Sequence, residues 1–435
     1  MKIDTLIKAG WVIPVIPENS VLPQHAIAIS EGKIIDILPW HLADQHFQIE
    51  TVINLPQHSV LPGFVNTHTH AAMNLLRGIA DDLTLMDWLQ NHIWPLEKQW
   101  VSETFVKDGT QLAIAEMLLS GITCFNDMYF FPEVVAREAK QAGIRACVGL
   151  ILIDAPTNWA QTPDQYFSKG LALHDRLREE KLITTAFAPH APYTVCDANL
   201  KRMQILSQEL DLPVHMHIHE TASEVNEAMA RTGKHPLQRL AELELLSPSL
   251  IGVHLVHMTD AEIVQYAESG AHVVHCPSSN LKLASGFCPV NQLHQAGINV
   301  ALGTDSAASN NQLDILGELR CSALIGKAIA NDASAIPAHA ALQMATINGA
   351  RALGLDSITG SLESGKDADI IAIDHSRLTS IPMFDPISHL VYACQRNQVT
   401  DVWVAGQHLV QASELTRTNV DDLKQKVADW QHRLA

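Results

Sequence analysis

Eight short apolar runs recur through the middle of this chain, and nearly every one ends in polar, reactive residues. The runs are Val60–Val65, Gly121–Asn126, Ala146–Ile153, Thr184–Ala188, Pro213–Ile218, Leu250–Leu255, Ala271–Val274 and Ile298–Leu302. Amphipathic stretches such as Glu103–Leu119 and Ala261–Ala267 separate them. Eight strand-then-helix units in succession predict a parallel (β/α)8 barrel of the TIM type, an α/β fold. A doubly wound open sheet is the alternative, but no G-x-G-x-x-G follows an early strand. In a barrel the C-terminal strand ends converge on one face, and that face carries the chemistry.

The two ends of the chain have a different character. Ala26–Ile29 and Lys33–Leu38 read as strands flanking a Glu31-Gly32 turn. Asp369–Ile373 and Asp401–Ala405 resume that style, and Asn419 to Leu434 has helical periodicity. The expected division is a small β-sandwich domain from residues 1–60 plus 366–435 and a barrel from 61–365.

Composition limits the partners. Of 435 residues 47% are hydrophobic and 17% charged, so a large core is expected. Lys and Arg number 29 against 47 Asp and Glu, for a net charge of −18, which argues against nucleic acid or an anionic membrane as partner. The seven cysteines form no C-x-x-C pair, as expected of reduced thiols in the cytoplasm. Asp4 and Lys8 interrupt the first apolar stretch, so a secretory leader is not expected.

The strand ends supply metal-binding chemistry. The first run leads into Asn66-Thr67-His68-Thr69-His70, and two histidines two apart on a strand point the same way. With 23 histidines in the chain, about one such pair arises by chance, so spacing alone decides little. The fifth run carries His215, His217 and His219, which share one face and cannot be separated by spacing; the eighth ends in Gly303-Thr304-Asp305. Three imidazoles and a carboxylate with an open position suit catalytic Zn²⁺, with Fe²⁺ or Mn²⁺ as substitutes.

Five segments, LPGFVNTHTH, HMHIHE, CPSSNLKLASG, LGTDSAASNN and GSLESGKDADI, spread from residue 61 to 370. Together they resemble the amidohydrolase superfamily, and within it the deaminases of methylthioadenosine and S-adenosylhomocysteine and the nearby triazine hydrolases. The resemblance implies that His68, His70, His217 and Asp305 bind the metal. It implies catalytic roles for Glu220 and His254, with Asp305 also accepting a proton. It implies substrate contacts from Glu97 and His190. Two-metal relatives need a bridging lysine at the end of the fourth strand; here that end is Ala188-Pro189-His190, and one metal per subunit is expected.

Plainer readings stand beside these. Glu220 could orient a histidine; His254 could be a buried strand-end residue, with His257 in its role; Glu97 could be a solvated helix charge. Trp88, in the long apolar segment Ala71–Trp100, is a candidate pocket wall, and that segment a candidate lid or subunit contact. A homo-oligomer, dimer or tetramer, is expected. The implied reaction is deamination of an adenine nucleoside: methylthioadenosine foremost, then S-adenosylhomocysteine or adenosine. Two other functions are open: deamination of a free base or s-triazine, and a non-catalytic scaffold.

Overall fold

The computed structural model describes residues 1–434 and contains two eight-stranded sheets. One is all parallel, with its strands in chain order: Phe64–Thr69, Ile122–Asp127, Arg145–Leu152, Ile183–Pro189, Val214–Ile218, Leu250–His254, His272–His275 and Val300–Leu302. The first and last strands meet, and the ring closes. The Thr67 hydroxyl donates to the Leu302 carbonyl over 2.5 Å, and the Asp305 N–H donates to the His68 carbonyl over 3.0 Å. Gly303 makes that approach possible, since a Cβ there would fall 2.8 Å from His68 Cβ.

Each of the eight apolar runs contributes to a barrel strand, but the first is divided. Val60 and Leu61 belong to the strand Gln48–Pro62 of the other sheet, and the barrel begins at Phe64. The break falls at Pro62-Gly63, where Gly63 packs against Thr123.

The second sheet is mixed and draws strands from both ends of the chain. Lys2–Val12 pairs parallel with Gln48–Pro62, and Leu22–Ser30 and Lys33–Pro39 extend it antiparallel on one side. Ile370–Asp374, Val399–Val404 and Gln407–Gln411 extend it on the other. The expected hairpin turn is present, with Glu31 at φ 51° and Gly32 at φ 77°.

Arg145 joins the two parts. It is buried at the start of the third barrel strand, where Nε donates to Asp369 Oδ2 and Nη2 to Asp367 Oδ2, each over 2.9 Å. Both aspartates come from the GSLESGKDADI segment. The final helix, Val420–Leu434, packs on the barrel helix Glu103–Leu119, with Trp430 Nε1 donating to Asp108 Oδ2 over 2.9 Å. No helix of the described residues is long and apolar enough to cross a membrane.

Candidate active site

Three histidines and an aspartate meet at the C-terminal end of the barrel. His68 lies in the first strand, His70 just beyond it, His217 in the fifth, and Asp305 follows the eighth. His68 Nε2 is 3.1 Å from His217 Nε2 and 3.3 Å from Asp305 Oδ1; His70 Nε2 is 3.4 Å from that same oxygen.

The opposite nitrogen of each ring is held. His70 Nδ1–H donates to the Met128 carbonyl over 2.5 Å and His217 Nδ1–H to the His190 carbonyl over 2.7 Å. His68 Nδ1 meets His215 Nε2 at 3.0 Å. A carbonyl at Nδ1 fixes the tautomer that leaves a lone pair on Nε2 of His70 and of His217. Three imidazole nitrogens and a carboxylate oxygen brought this close together are a donor set that fits a transition metal.

Asp305 is oriented by its surroundings. Its Oδ2 accepts the Ser279 hydroxyl at 2.6 Å and the Ser309 hydroxyl at 2.8 Å, which leaves Oδ1 facing the imidazoles. Its backbone is left-handed at φ 60°, and that of His254 at φ 75°, a conformation that costs energy for non-glycine residues and marks over-determined positions.

The fifth-strand histidines take three different places. His217 faces the cluster. His215 lies beneath it against His68. His219 departs from the shared face expected from its spacing: its backbone turns left-handed at φ 53°, and Nδ1–H donates to the His257 carbonyl over 2.9 Å.

A cavity of about 640 Å³ opens above the cluster. His70, His190, His217, Glu220, His254 and Asp305 line it, together with Glu97 and Trp88 from the segment after the first strand. His68 is fully buried below. Burial pushes Glu220 up to about 8, with the Asp305 charge adding to it, so its carboxyl is protonated at neutral pH. His254 Nδ1–H donates to the Asn280 amide oxygen over 2.8 Å, which leaves Nε2 as an acceptor 3.8 Å from Glu220 Oε2. Burial lowers His190 to about 3, so its ring is neutral. His257 donates Nε2–H to the Ser285 carbonyl over 2.7 Å and does not line the cavity.

Several contributing residues had no individual signal in the sequence. Tyr129 donates to Glu97, Asn280 sets the His254 tautomer, and Ser279 and Ser309 hold Asp305. Ser279, Asn280 and Ser309 lie inside the matched segments CPSSNLKLASG and LGTDSAASNN, which was the available clue. Asn126 and Asp127, at the end of the second strand, do not line the cavity; Asn126 donates to the Thr67 carbonyl and Asp127 accepts from the Ala71 N–H.

The model of the amidohydrolase family matches residues 59–409. A 5-methylthioadenosine/S-adenosylhomocysteine deaminase of Saccharophagus degradans is 49% identical over 431 residues, covering 99% of this chain and 97% of that protein. The crystal structure of an adenosine deaminase from Xanthomonas campestris with bound zinc superimposes with a TM-score of 0.99 at 50% identity, covering 100% of this chain and 99% of that one. An atrazine chlorohydrolase from Arthrobacter aurescens, complexed with zinc, shares the fold with a TM-score of 0.92 at 22% identity, covering 98% and 99%.

Proposed function

The chain belongs to the amidohydrolase family, and from that premise we propose that it hydrolytically deaminates an adenine nucleoside, 5′-methylthioadenosine foremost. The observation that carries this is one cavity joining the His68–His70–His217–Asp305 cluster to Glu220, His254 and Glu97.

His68, His70, His217 and Asp305 would hold one metal, zinc first, with Fe²⁺ or Mn²⁺ as substitutes. When bound, such a metal supplies Lewis acidity that lowers the pKa of a water toward neutrality. Glu220, protonated at neutral pH, gives its proton to a ring nitrogen, which makes the adjacent amino-bearing carbon electrophilic. His254 takes a proton from the attacking water at Nε2, with its ring held by Asn280; once protonated, it can donate to the developing oxyanion. Asp305 Oδ1 is the second acceptor beside the same point. Glu220, now a carboxylate, takes the remaining proton of the added hydroxyl and passes it to the amino group; the C–N bond breaks, ammonia leaves, the carbonyl forms, and the proton held by His254 returns to Glu220. His190 offers a neutral ring to the substrate, Trp88 an apolar wall, and Glu97 an acceptor for ribose hydroxyls.

The wall after the third strand bears on the 5′ substituent. Ile151, Ile153, Ala155 and Pro156 line it, and among the described residues no arginine reaches the cavity. Lys98 supplies one point charge but not the planar fork that pairs with an amino-acid carboxylate. This supports methylthioadenosine over S-adenosylhomocysteine.

The reading includes a cytoplasmic homo-oligomer. All seven cysteines are unpaired, and Phe384 is 91% exposed, a surface suited to association.

The test is ammonia release from methylthioadenosine, S-adenosylhomocysteine, adenosine, guanine and cytosine, with metal measured on the same sample. Methylthioadenosine should give the highest kcat/KM. Faster release from a free base, or no release and no metal, overturns the proposal.

A further inference from the structure

Away from the cavity, three metal-capable side chains meet where the terminal sheet adjoins the helix Pro386–Tyr392. His375 follows the strand Ile370–Asp374, His389 lies on the helix, and Cys394 comes just after it. One ligand atom from each lies within 4.8 Å of the other two. Cys394 is fully buried and His375 nearly so.

The His375 ring is fixed on two sides. Its Nε2 is 2.9 Å from Ser59 Oγ, and its edge packs on Trp11 with ring centroids 5.9 Å apart. With Nε2–H given to Ser59, Nδ1 carries the lone pair and stands 3.9 Å from Cys394 Sγ. Two ligands of one tetrahedral ion, at about 2.0 Å for nitrogen and about 2.3 Å for sulfur, come within about 3.6 Å of each other, close to this separation. A simple S–H···N hydrogen bond would satisfy Cys394 and His375. It leaves His389 unexplained, because His389 Nε2 is buried and has no partner among the described residues.

We propose that His375, His389 and Cys394 form a second metal site, for zinc, independent of the catalytic cluster. Thiolate and imidazole donors together select a soft to borderline divalent ion over magnesium or calcium. Binding displaces the thiol proton to solvent, which the free group, pushed up to about 12 by burial, does not release at neutral pH. The site clamps both ends of the segment 376–385, which holds Leu378 and Phe384 out at 82% and 91% exposure.

Cobalt titration of the purified full chain tests this, because a thiolate ligand gives Co²⁺ a charge-transfer band in the near ultraviolet and nitrogen and oxygen ligands do not. The wild-type chain should bind two Co²⁺ ions and show the band. Cys394→Ser should bind one, lose the band and keep its ammonia release, which shows that it folds. His389→Asn should weaken the band in a chain that retains the thiol. One ion per chain without the band in the wild type, or a band that survives Cys394→Ser, overturns the proposal.

Discussion

The Tyr129 hydroxyl donates to Glu97 Oε1 across 2.8 Å, tying the segment after the second barrel strand to the helix Trp94–Trp100 that follows the first. Burial raises Glu97 to about 7, while the Tyr129 hydrogen bond pulls it down. The proposed ribose contact needs the anion, which accepts hydroxyl donors at both oxygens. Removing a hydrogen bond to a charged group costs about 1.5–3 kcal/mol, so Glu97→Ala should lower kcat/KM for methylthioadenosine by about tenfold to a hundredfold. Turnover of a free base, which has no diol, should be unchanged if the chain accepts one; an equal loss on both substrates would refute the ribose role.

The same pair gives a pH signature. Glu97 is ionised above about 7 and protonated below it, so KM for the nucleoside should fall as pH rises through 7. Glu97→Gln should flatten that part of the profile. Tyr129→Phe removes a donor that favours the anion, and the inflection should move to higher pH. An inflection unmoved in Tyr129→Phe would show that another group titrates.

Glu220 should govern the opposite limb. In the proposed mechanism its acid form is the proton donor, and that form is lost as pH rises through about 8, so kcat/KM should decline there. Glu220→Gln cannot deliver a proton and should lose about 10²- to 10⁴-fold in kcat with metal content intact. If metal is lost together with activity, Glu220 serves the cluster and not the substrate.

The barrel was legible because apolar runs and their polar ends recur eight times, and no other common fold needs that repetition. The ligands were less so. His215, His217 and His219 are equivalent by spacing, and a left-handed backbone at His219, which composition does not signal, turns it out of the set. The start of the barrel was misplaced because Val60 to Val65 reads as one apolar run; Pro62-Gly63 marked the break. Tyr129 and Asn280 act only through partners on other strands, so no local pattern could reveal them. The Arg145 pairing joins residues more than two hundred positions apart and is equally invisible to periodicity.

The facing nitrogens of His68 and His217 make the cluster a test of metal dependence. Chelation should abolish ammonia release, and Zn²⁺ should restore it. A ligand bound only by the folded chain at a thousand times its Kd stabilises by about 4 kcal/mol, so Tm should also fall on chelation. Asp305→Ala should lose both metal and activity, while Ser309→Ala, which removes one of two hydroxyls on Oδ2, should keep metal and lose part of kcat. Full activity in a metal-free chain would exclude this reading of the cluster.

Arg145 carries the prediction for stability. Its guanidinium is 2% exposed and meets two carboxylates, Asp369 at 0% and Asp367 at 21% side-chain exposure. Removing one partner of a buried pair strands the other charge, which costs about 3–5 kcal/mol. Arg145→Met should therefore lower the unfolding midpoint strongly. The loss should come from the stranded Asp369 more than from the missing contact, so Arg145→Met with Asp369→Asn should recover part of it. The two changes should not add, because the residues touch. Hydrogen exchange then locates the damage: amides of Ile370–Asp374, next to the pair, should open first, and protection of the distant strand Val214–Ile218 should change little. Additive losses in the double variant would mean that Arg145 acts through packing of its stem and not through its charge.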